Sequence, residues 1–283
     1  MSEMHAEVIG DPIAHSQSPL IHRFWLEKLG IAGDYTRTRV REEGLHSFFA
    51  RRTPDNEWRG CNVTVPHKQA VIPYVDRLDP LARTIGAVNT VVRDGDSLVG
   101  HNTDCDGFLE PLRGELAKTH LFRIARLFGT GGAARAIAHG LVAQGFTLVV
   151  IGREKAQAEK FLQGFAGEHH AAALADFAAP IDFAFDDRIG ILDLVINATT
   201  LGMSGHDPLR VDFSHFAPGS IVYDIVYSPL ETPLLAEARR RGLKTVDGLS
   251  MLIGQAAAAF QLFFGHRAPR EHDEELRALL TAA

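Results

Sequence analysis

Lys68 and Asp104 each follow a segment carrying small polar side chains: Asn62 and Thr64 in Asn62-Val-Thr-Val-Pro-His ahead of the lysine, Asn102-Thr103 ahead of the aspartate. Both are residue types that give and take protons in a reaction. Val63 and Val65 alternate with Asn62 and Thr64, so a strand here puts the apolar pair on one face and the polar pair on the other. Pro66 is then expected to open a helix with Lys68 in its first turn. The helix dipole disfavours a cation there, which leaves two readings: a lysine snorkelling over the helix, or an ammonium held for a site beside Asn62 and Thr64. Asp104 reads either as the N-cap of a helix starting near Gly107 or as part of the same site, because Asn102-Thr103 repeats the Asn89-Thr90 pair. Near the start of the chain, Ser18-Pro19 fits an N-cap and first-turn pair. Ser16 does not fit that cap, and two hydroxyls at one strand-to-helix turn suit a polyhydroxylated or carboxylated ligand.

A second chemistry is written at 127–140. Gly129, Gly131 and Ala134 occupy the small positions of a G-x-G-x-x-G/A turn, between an expected strand at 124–128 and an Ala-rich helix at 133–143 that Gly145 stops. A second strand at 147–151 completes a βαβ unit, so the helix N-terminus can face a pyrophosphate.

The elements that must position these residues follow from periodicity. A short apolar strand at 8–10 precedes a helix carrying Ile21, Phe24, Trp25 and Leu29. Stretches 87–92 and 98–104 form a hairpin around Asp94-Gly95-Asp96. Strands at 191–197, 220–224 and 245–246 extend a parallel sheet. Thr232-Pro233 caps a helix at 234–241, which Gly242 ends. A helix at 249–264 buries Leu252, Ile253, Ala256 and Phe260, with Gln255 among them; such a residue is satisfied by backbone or water unless it faces a ligand. A terminal helix at 271–280 follows Pro269.

With 283 residues, 46% of them hydrophobic and 23% charged, the chain is expected to fold as a globular protein of two domains. A net charge of -6 without long blocks of like charge argues against nucleic acid or an anionic membrane as partner, and toward a small molecule. No basic, apolar leader opens the sequence, and a cytoplasmic protein is expected. Cys61 and Cys105 lack the spacing of a metal or disulfide pair, and no metal is expected.

Taken in order, these strings resemble the shikimate dehydrogenase family over nearly the whole chain: Ser-x-Ser-x-x-x-His at 16–22, Asn-Val-Thr-x-Pro-x-Lys at 62–68, Ala-Val-Asn-Thr at 87–90 and Asn-Thr-Asp at 102–104. Gly-x-Gly-Gly-Ala at 129–133, Asn-Ala-Thr-x-Leu-Gly-Met at 197–203 and Met-Leu-x-x-Gln-Ala at 251–256 complete the series. The resemblance implies an α/β protein with an N-terminal α/β substrate domain, 1–105 plus 249–283, and a Rossmann-like parallel-sheet NADP domain, 106–248. It implies reversible, NADP-dependent reduction of 3-dehydroshikimate to shikimate, held between the two domains. Lys68 matches the family's catalytic lysine, with Asp104 beside it, and Ser16, Ser18, Asn62, Thr64, Asn89, Tyr227 and Gln255 match substrate positions. Gly129, Thr130, Gly131, Gly132 and Ala133 match the dinucleotide turn, while Thr199, Met203, Gly248 and Met251 match the nicotinamide side. Arg153 and Lys155 suit the 2′-phosphate of NADP, whereas Glu154 between them suits the ribose of NAD, so NAD is also possible. His101, Cys105 and Ser250 depart from the family's usual residues. The alternatives are a quinate/shikimate dehydrogenase using NAD, and a non-catalytic nucleotide-binding sensor, against which Lys68 and Asp104 both speak. A folate-directed relative fits the paired serines less well. The chain is expected to be a monomer or homodimer.

Overall fold

The computed structural model describes residues 4–181 and 190–282. The chain divides into two compact units, Met1–Gly107 with Ile253–Ala283, and Phe108–Leu252.

The first unit is built on six strands, β1 (Met4–Gly10), β2 (Gly33–Arg39), β3 (Trp58–Val63), β4 (Arg77–Leu78), β5 (Thr90–Asp94) and β6 (Ser97–His101), in the order β2-β1-β3-β5-β6-β4. β1 runs parallel to β2 and β3, while β5 is antiparallel to both β3 and β6. The C-terminal ends of β1, β3 and β6 and the N-terminal end of β5 therefore share one edge of the sheet. Ser16, Thr64, Lys68, Asn89 and Asn102 lie in the loops that leave or enter the strands at that edge. The expected hairpin is present, with Asp94 opposite Ser97 and Gly95 at φ +62°.

Both faces of this sheet are covered, which explains why β3 does not alternate as expected. Asn62 is buried along with Val63, and Val65, beyond the strand's end, is exposed. One face packs Ile9, Phe48, Trp58, Val63 and Val91 together. On the other, His22 from the helix Ser18–Leu29 stacks on Tyr35 of β2, with centroids 3.9 Å apart, against Trp25, Phe260 and Phe263. Residues 65–70 form hydrogen-bonded turns, so no helix opens at Pro66 and the dipole argument for Lys68 lapses. His67 pins this turn, its Nε2 lying 2.6 Å from the Val40 carbonyl. The cap of the first helix also differs from expectation. Ser18 is already helical, Gln17 takes the N-cap position, and the Ser18 N–H donates to Ser16 Oγ at 3.4 Å.

The second unit holds β7 (Phe122–Phe128), β8 (Thr147–Gly152), β9 (His170–Ala173), β10 (Ile191–Asn197), β11 (Ile221–Asp224) and β12 (Lys244–Val246) in the order β12-β11-β10-β7-β8-β9. All five pairings are parallel. Within the unit this is the 3-2-1-4-5-6 order of a dinucleotide-binding sheet, whose strand order reverses between its first and fourth strands, here β7 and β10. The helix Gly132–Ala143 buries Ala134, Ile137, Ala138 and Leu141 against Leu127, Val150 and Leu194. Each large aliphatic side chain so buried contributes about 1.5–3 kcal/mol. The Thr232 cap is as expected: Leu235 N–H donates to Thr232 Oγ1 at 3.3 Å. Among the described residues, no helix is long and apolar enough to cross a membrane.

Candidate active site

Along the loop edge of the first unit, Lys68 Nζ donates to Asp104 Oδ2 at 2.6 Å, and the two side chains are 14% and 6% exposed. Asp104 is not a cap. It is the first residue of the helix Asp104–Leu109, and its own N–H donates to Asn102 Oδ1 at 3.1 Å. Asn102 in turn donates to the Ala87 carbonyl at 2.9 Å, tying the turn to the start of the hairpin. The carboxylate is thereby released for tertiary partners. Its Oδ1 accepts from Asn89 Nδ2 at 2.9 Å.

Asn89 and Asn62 are spent on protein partners. Asn89 Nδ2 also lies 2.9 Å from Thr103 Oγ1 and 3.5 Å from Gln255 Oε1, while its Oδ1 accepts the Thr103 N–H at 2.8 Å. Asn62 donates to the Asn89 carbonyl and to Thr90 Oγ1, and accepts from the Tyr35 hydroxyl at 2.6 Å. Both amides are nearly inaccessible, 2% and 5% exposed, so they orient the site more than they line it. Sequence reading misses Tyr35, because Gly-Asp-Tyr-Thr-Arg-Thr-Arg carries too few apolar residues to announce a strand.

The hydroxyls differ. Those of Ser18 and Thr64 have no hydrogen-bond partner among the described residues, and Ser16 Oγ serves only as an acceptor for Ser18 N–H. Thr64 sits against β1, since a Cβ at Gly10 would come within 2.5 Å of its methyl group. Its backbone N–H donates to the Ile9 carbonyl at 3.0 Å, which brings the β1 and β3 loops side by side. Cys105, next to Asp104, is buried, and burial pushes its thiol up to about 11, away from nucleophile chemistry. His101 has a structural partner: its Nδ1 lies 3.0 Å from Asp79 Oδ2, and Asp79 caps the helix Pro80–Ile85. Among the described residues no group of three or more His, Cys, Asp or Glu could hold a metal ion.

A family model described as "Shikimate dehydrogenase substrate binding domain" matches residues 8–91, and one described as "Shikimate 5'-dehydrogenase C-terminal domain" matches residues 248–276. The shikimate dehydrogenase (NADP(+)) of Sphingopyxis alaskensis is 48% identical over 280 residues, spanning 98% of this chain and 97% of its own. This chain belongs to the shikimate dehydrogenase family. The crystal structure of Thermus thermophilus shikimate 5-dehydrogenase, in complex with NADP(H) and shikimate, superposes with a TM-score of 0.82 at 33% identity, covering 98% of this chain and 99% of that one. Quinate dehydrogenase from Corynebacterium glutamicum, in complex with NAD, gives a TM-score of 0.81 at 30% identity, covering 98% and 99%.

In this member of the shikimate dehydrogenase family, the glycines of the second unit have separate jobs. Gly129, directly after β7, has φ +114°, and a Cβ there would lie 2.8 Å from the Ala198 carbonyl oxygen beyond β10. The turn and the 197–203 loop thus meet at the reversal point of the sheet. Gly131, the N-cap of the helix Gly132–Ala143, has φ -80°, and a Cβ there would meet no atom within 4 Å. Packing does not demand glycine at that position, whereas close backbone approach by a ligand would. Its helix has no side-chain cap and no acidic residue in the first turn, which suits an anion. Thr130, Gly132 and Ala133 are only partly buried around it. At the end of β8, Arg153, Glu154 and Lys155 are all exposed, and Glu154 is the N-cap of the helix Lys155–Leu162 without bonding it through its side chain. This donor set fits an NADP 2′-phosphate through Arg153 and Lys155.

Thr199 is held by Asn197, whose Oδ1 accepts from its hydroxyl at 2.7 Å and its N–H at 3.1 Å. Asn197 Nδ2 donates to buried Asp224 at 2.9 Å, which also accepts from Thr232 Oγ1 at 2.7 Å and the Val226 N–H at 3.0 Å. Burial pushes the Asp224 carboxyl up to about 6 despite these donors. Asp224 goes unnoticed in the sequence and Asn197 is read there only as the start of the 197–203 string, although each is the polar last residue of an apolar strand. Gly248 is required by packing, since a Cβ would stand 2.5 Å from the Ile225 and Val226 carbonyl oxygens. Met203 is 37% exposed, but Met251 is 6% exposed and packs in the core of the unit, so only Met203 offers substantial surface to a ligand. Tyr227 is partly buried, and burial pushes its phenol above the ordinary value. Ser250 donates to Asp247 Oδ1 at 3.1 Å through both its N–H and its hydroxyl.

Proposed function

We propose that this chain interconverts 3-dehydroshikimate and shikimate with NADP(H), the first unit binding the substrate and the second the dinucleotide. The observation that carries the reading is the Lys68–Asp104 pair at 2.6 Å, fixed by buried amides within a chain that matches shikimate dehydrogenases along almost its whole length.

NADPH, when bound, supplies the hydride that reduces the ketone. Negative charge then develops on the former carbonyl oxygen. Of the three N–H donors of the Lys68 ammonium, one is held by Asp104, and the others are available to stabilise that oxygen and deliver its proton. Asp104 Oδ1 and Oδ2 each keep a lone pair beyond their protein donors, enough to accept from a ring hydroxyl. The hydroxyls of Ser16, Ser18 and Thr64 suit the substrate carboxylate and hydroxyls. Gln255 joins the site through Asn89. Gly131 and the helix behind it take the pyrophosphate, and Arg153 with Lys155 takes the 2′-phosphate.

The second reading, a quinate/shikimate dehydrogenase that accepts NAD, draws on exposed Glu154 and on the likeness to the NAD-bound quinate dehydrogenase. Steady-state kcat/KM measured for shikimate and for quinate, each with NADP and NAD, separates the two. Two charge-assisted contacts to a phosphate favour NADP by about tenfold or more, with shikimate as the preferred alcohol. Equal or better turnover of quinate with NAD would transfer the assignment to the second reading.

A further inference from the structure

We infer that Tyr35, in β2, is a positioning residue for the Lys68–Asp104 pair, acting through a one-way chain of hydrogen bonds over Asn62, Thr90 and Asn89; the inference rests on the reaction proposed above. The direction of every link is set by backbone groups whose roles cannot be exchanged. Asn89 Oδ1 faces the Thr103 N–H at 2.8 Å, an obligatory donor, so its Nδ2 must point at Asp104. Asn62 Nδ2 faces the Asn89 carbonyl at 3.3 Å, an obligatory acceptor, so its Oδ1 must face the Tyr35 hydroxyl, which therefore donates. Thr90 Oγ1 accepts from Asn62 Nδ2 at 3.0 Å and has its own proton left for Asn89 Oδ1 at 2.9 Å.

The donors thus run Tyr35, Asn62, Thr90 and Asn89, ending on Asp104 Oδ1 as the acceptor, and Lys68 donates to the other carboxylate oxygen. Hydrogen bonds aligned head to tail polarise one another, so each link strengthens the next and the chain holds Asp104 Oδ1 in one orientation. Tyr35 is a firm anchor for such a chain. It is fully buried, burial pushes its phenol well above the ordinary value so that it remains a donor, and the His22 ring lies parallel to its own at an interplanar angle of 3°. Tyr35 touches neither Lys68 nor Asp104 through these bonds, and its effect on them is indirect.

Tyr35→Phe keeps the stacked ring and removes only the hydroxyl. Thr90→Val breaks the chain in the middle, and Thr90→Ser keeps it intact. Both breaking variants are expected to lower kcat for shikimate about fivefold, the weight of one buried hydrogen bond, with KM changed less than about twofold. The double variant should be no slower than the slower single one, because a chain breaks once, and Thr90→Ser should turn over as the native enzyme does. The carbon NMR signal of the Asp104 carboxylate should shift alike in both breaking variants. Native kcat with an unmoved Asp104 signal in either breaking variant, or losses that multiply in the double variant, would overturn the inference. If Tyr35→Phe does not fold, the Thr90 pair decides. A native enzyme that fails to oxidise shikimate sinks the proposed reaction, while the NMR comparison still judges the chain.

Discussion

Lys68→Ala is expected to cut kcat for shikimate oxidation about a thousandfold, within the range for loss of a positioned acid–base group, while KM for shikimate changes only a few-fold. The split follows from where the charge develops. The substrate's carboxylate and spectator hydroxyls can be held by Ser16, Ser18 and Thr64 in both ground and transition states, whereas the ammonium matters most when the ketone oxygen turns negative. Stability should fall as well. Removing Lys68 leaves the nearly buried Asp104 with the Asn89 amide but no cation, and breaking a fully buried pair costs about 3–5 kcal/mol. Lys68 retains 14% exposure, so water offsets part of that. Kinetics run on samples shown to be folded by circular dichroism check the split. Unchanged kcat in a folded variant would remove Lys68 from the reaction.

Substituting the two turn glycines should separate a fold requirement from a ligand requirement. Gly129→Ala forces a side chain into a backbone region that L-residues rarely adopt, at about 1–3 kcal/mol, and drives its Cβ to 2.8 Å from a backbone oxygen that has little room to yield. The variant is expected to lose thermal stability and to raise the KM for NADP at least tenfold, because the turn and the 197–203 loop must move apart. Gly131→Ala has an ordinary φ and open space around its Cβ. Its stability should stay within about 0.5 kcal/mol of the native chain, yet its KM for NADP should still rise, since in the proposed docking the added methyl would crowd a pyrophosphate held at the helix N-terminus. Thermal unfolding and cofactor titration of the two variants give both numbers. A destabilised Gly131→Ala, or one with native NADP affinity, would contradict this division.

Much of this is legible in the sequence where local pattern and tertiary environment agree. The glycine turn, its strand and helix, the β5–β6 hairpin and the Thr232 cap all depend on residues close together in the chain. Lys68 stands out in the sequence for a reason that fails, since its segment is a turn. What holds it is Asp104, 36 residues away, a partner that no periodicity reveals. Ser18 and Asp104 are both open to a capping reading, and in each case a neighbour two residues earlier, Ser16 or Asn102, accepts the backbone N–H instead. β2 and β9 escape notice because each is an edge strand in which few residues are buried, so few apolar residues mark it. Asn62 and Asn89 read as ligand contacts, but their burial commits both amides to the protein, which makes them supports for Lys68 and Asp104.

In the proposed reaction this chain moves a hydride between NADP and the shikimate pair. Purified protein incubated with NADPH and 3-dehydroshikimate tests it most directly, with cofactor oxidation followed by absorbance and the product separated by chromatography. One shikimate formed per NADPH consumed is the expected result. NADPH left unoxidised, or oxidised without shikimate appearing, would contradict it.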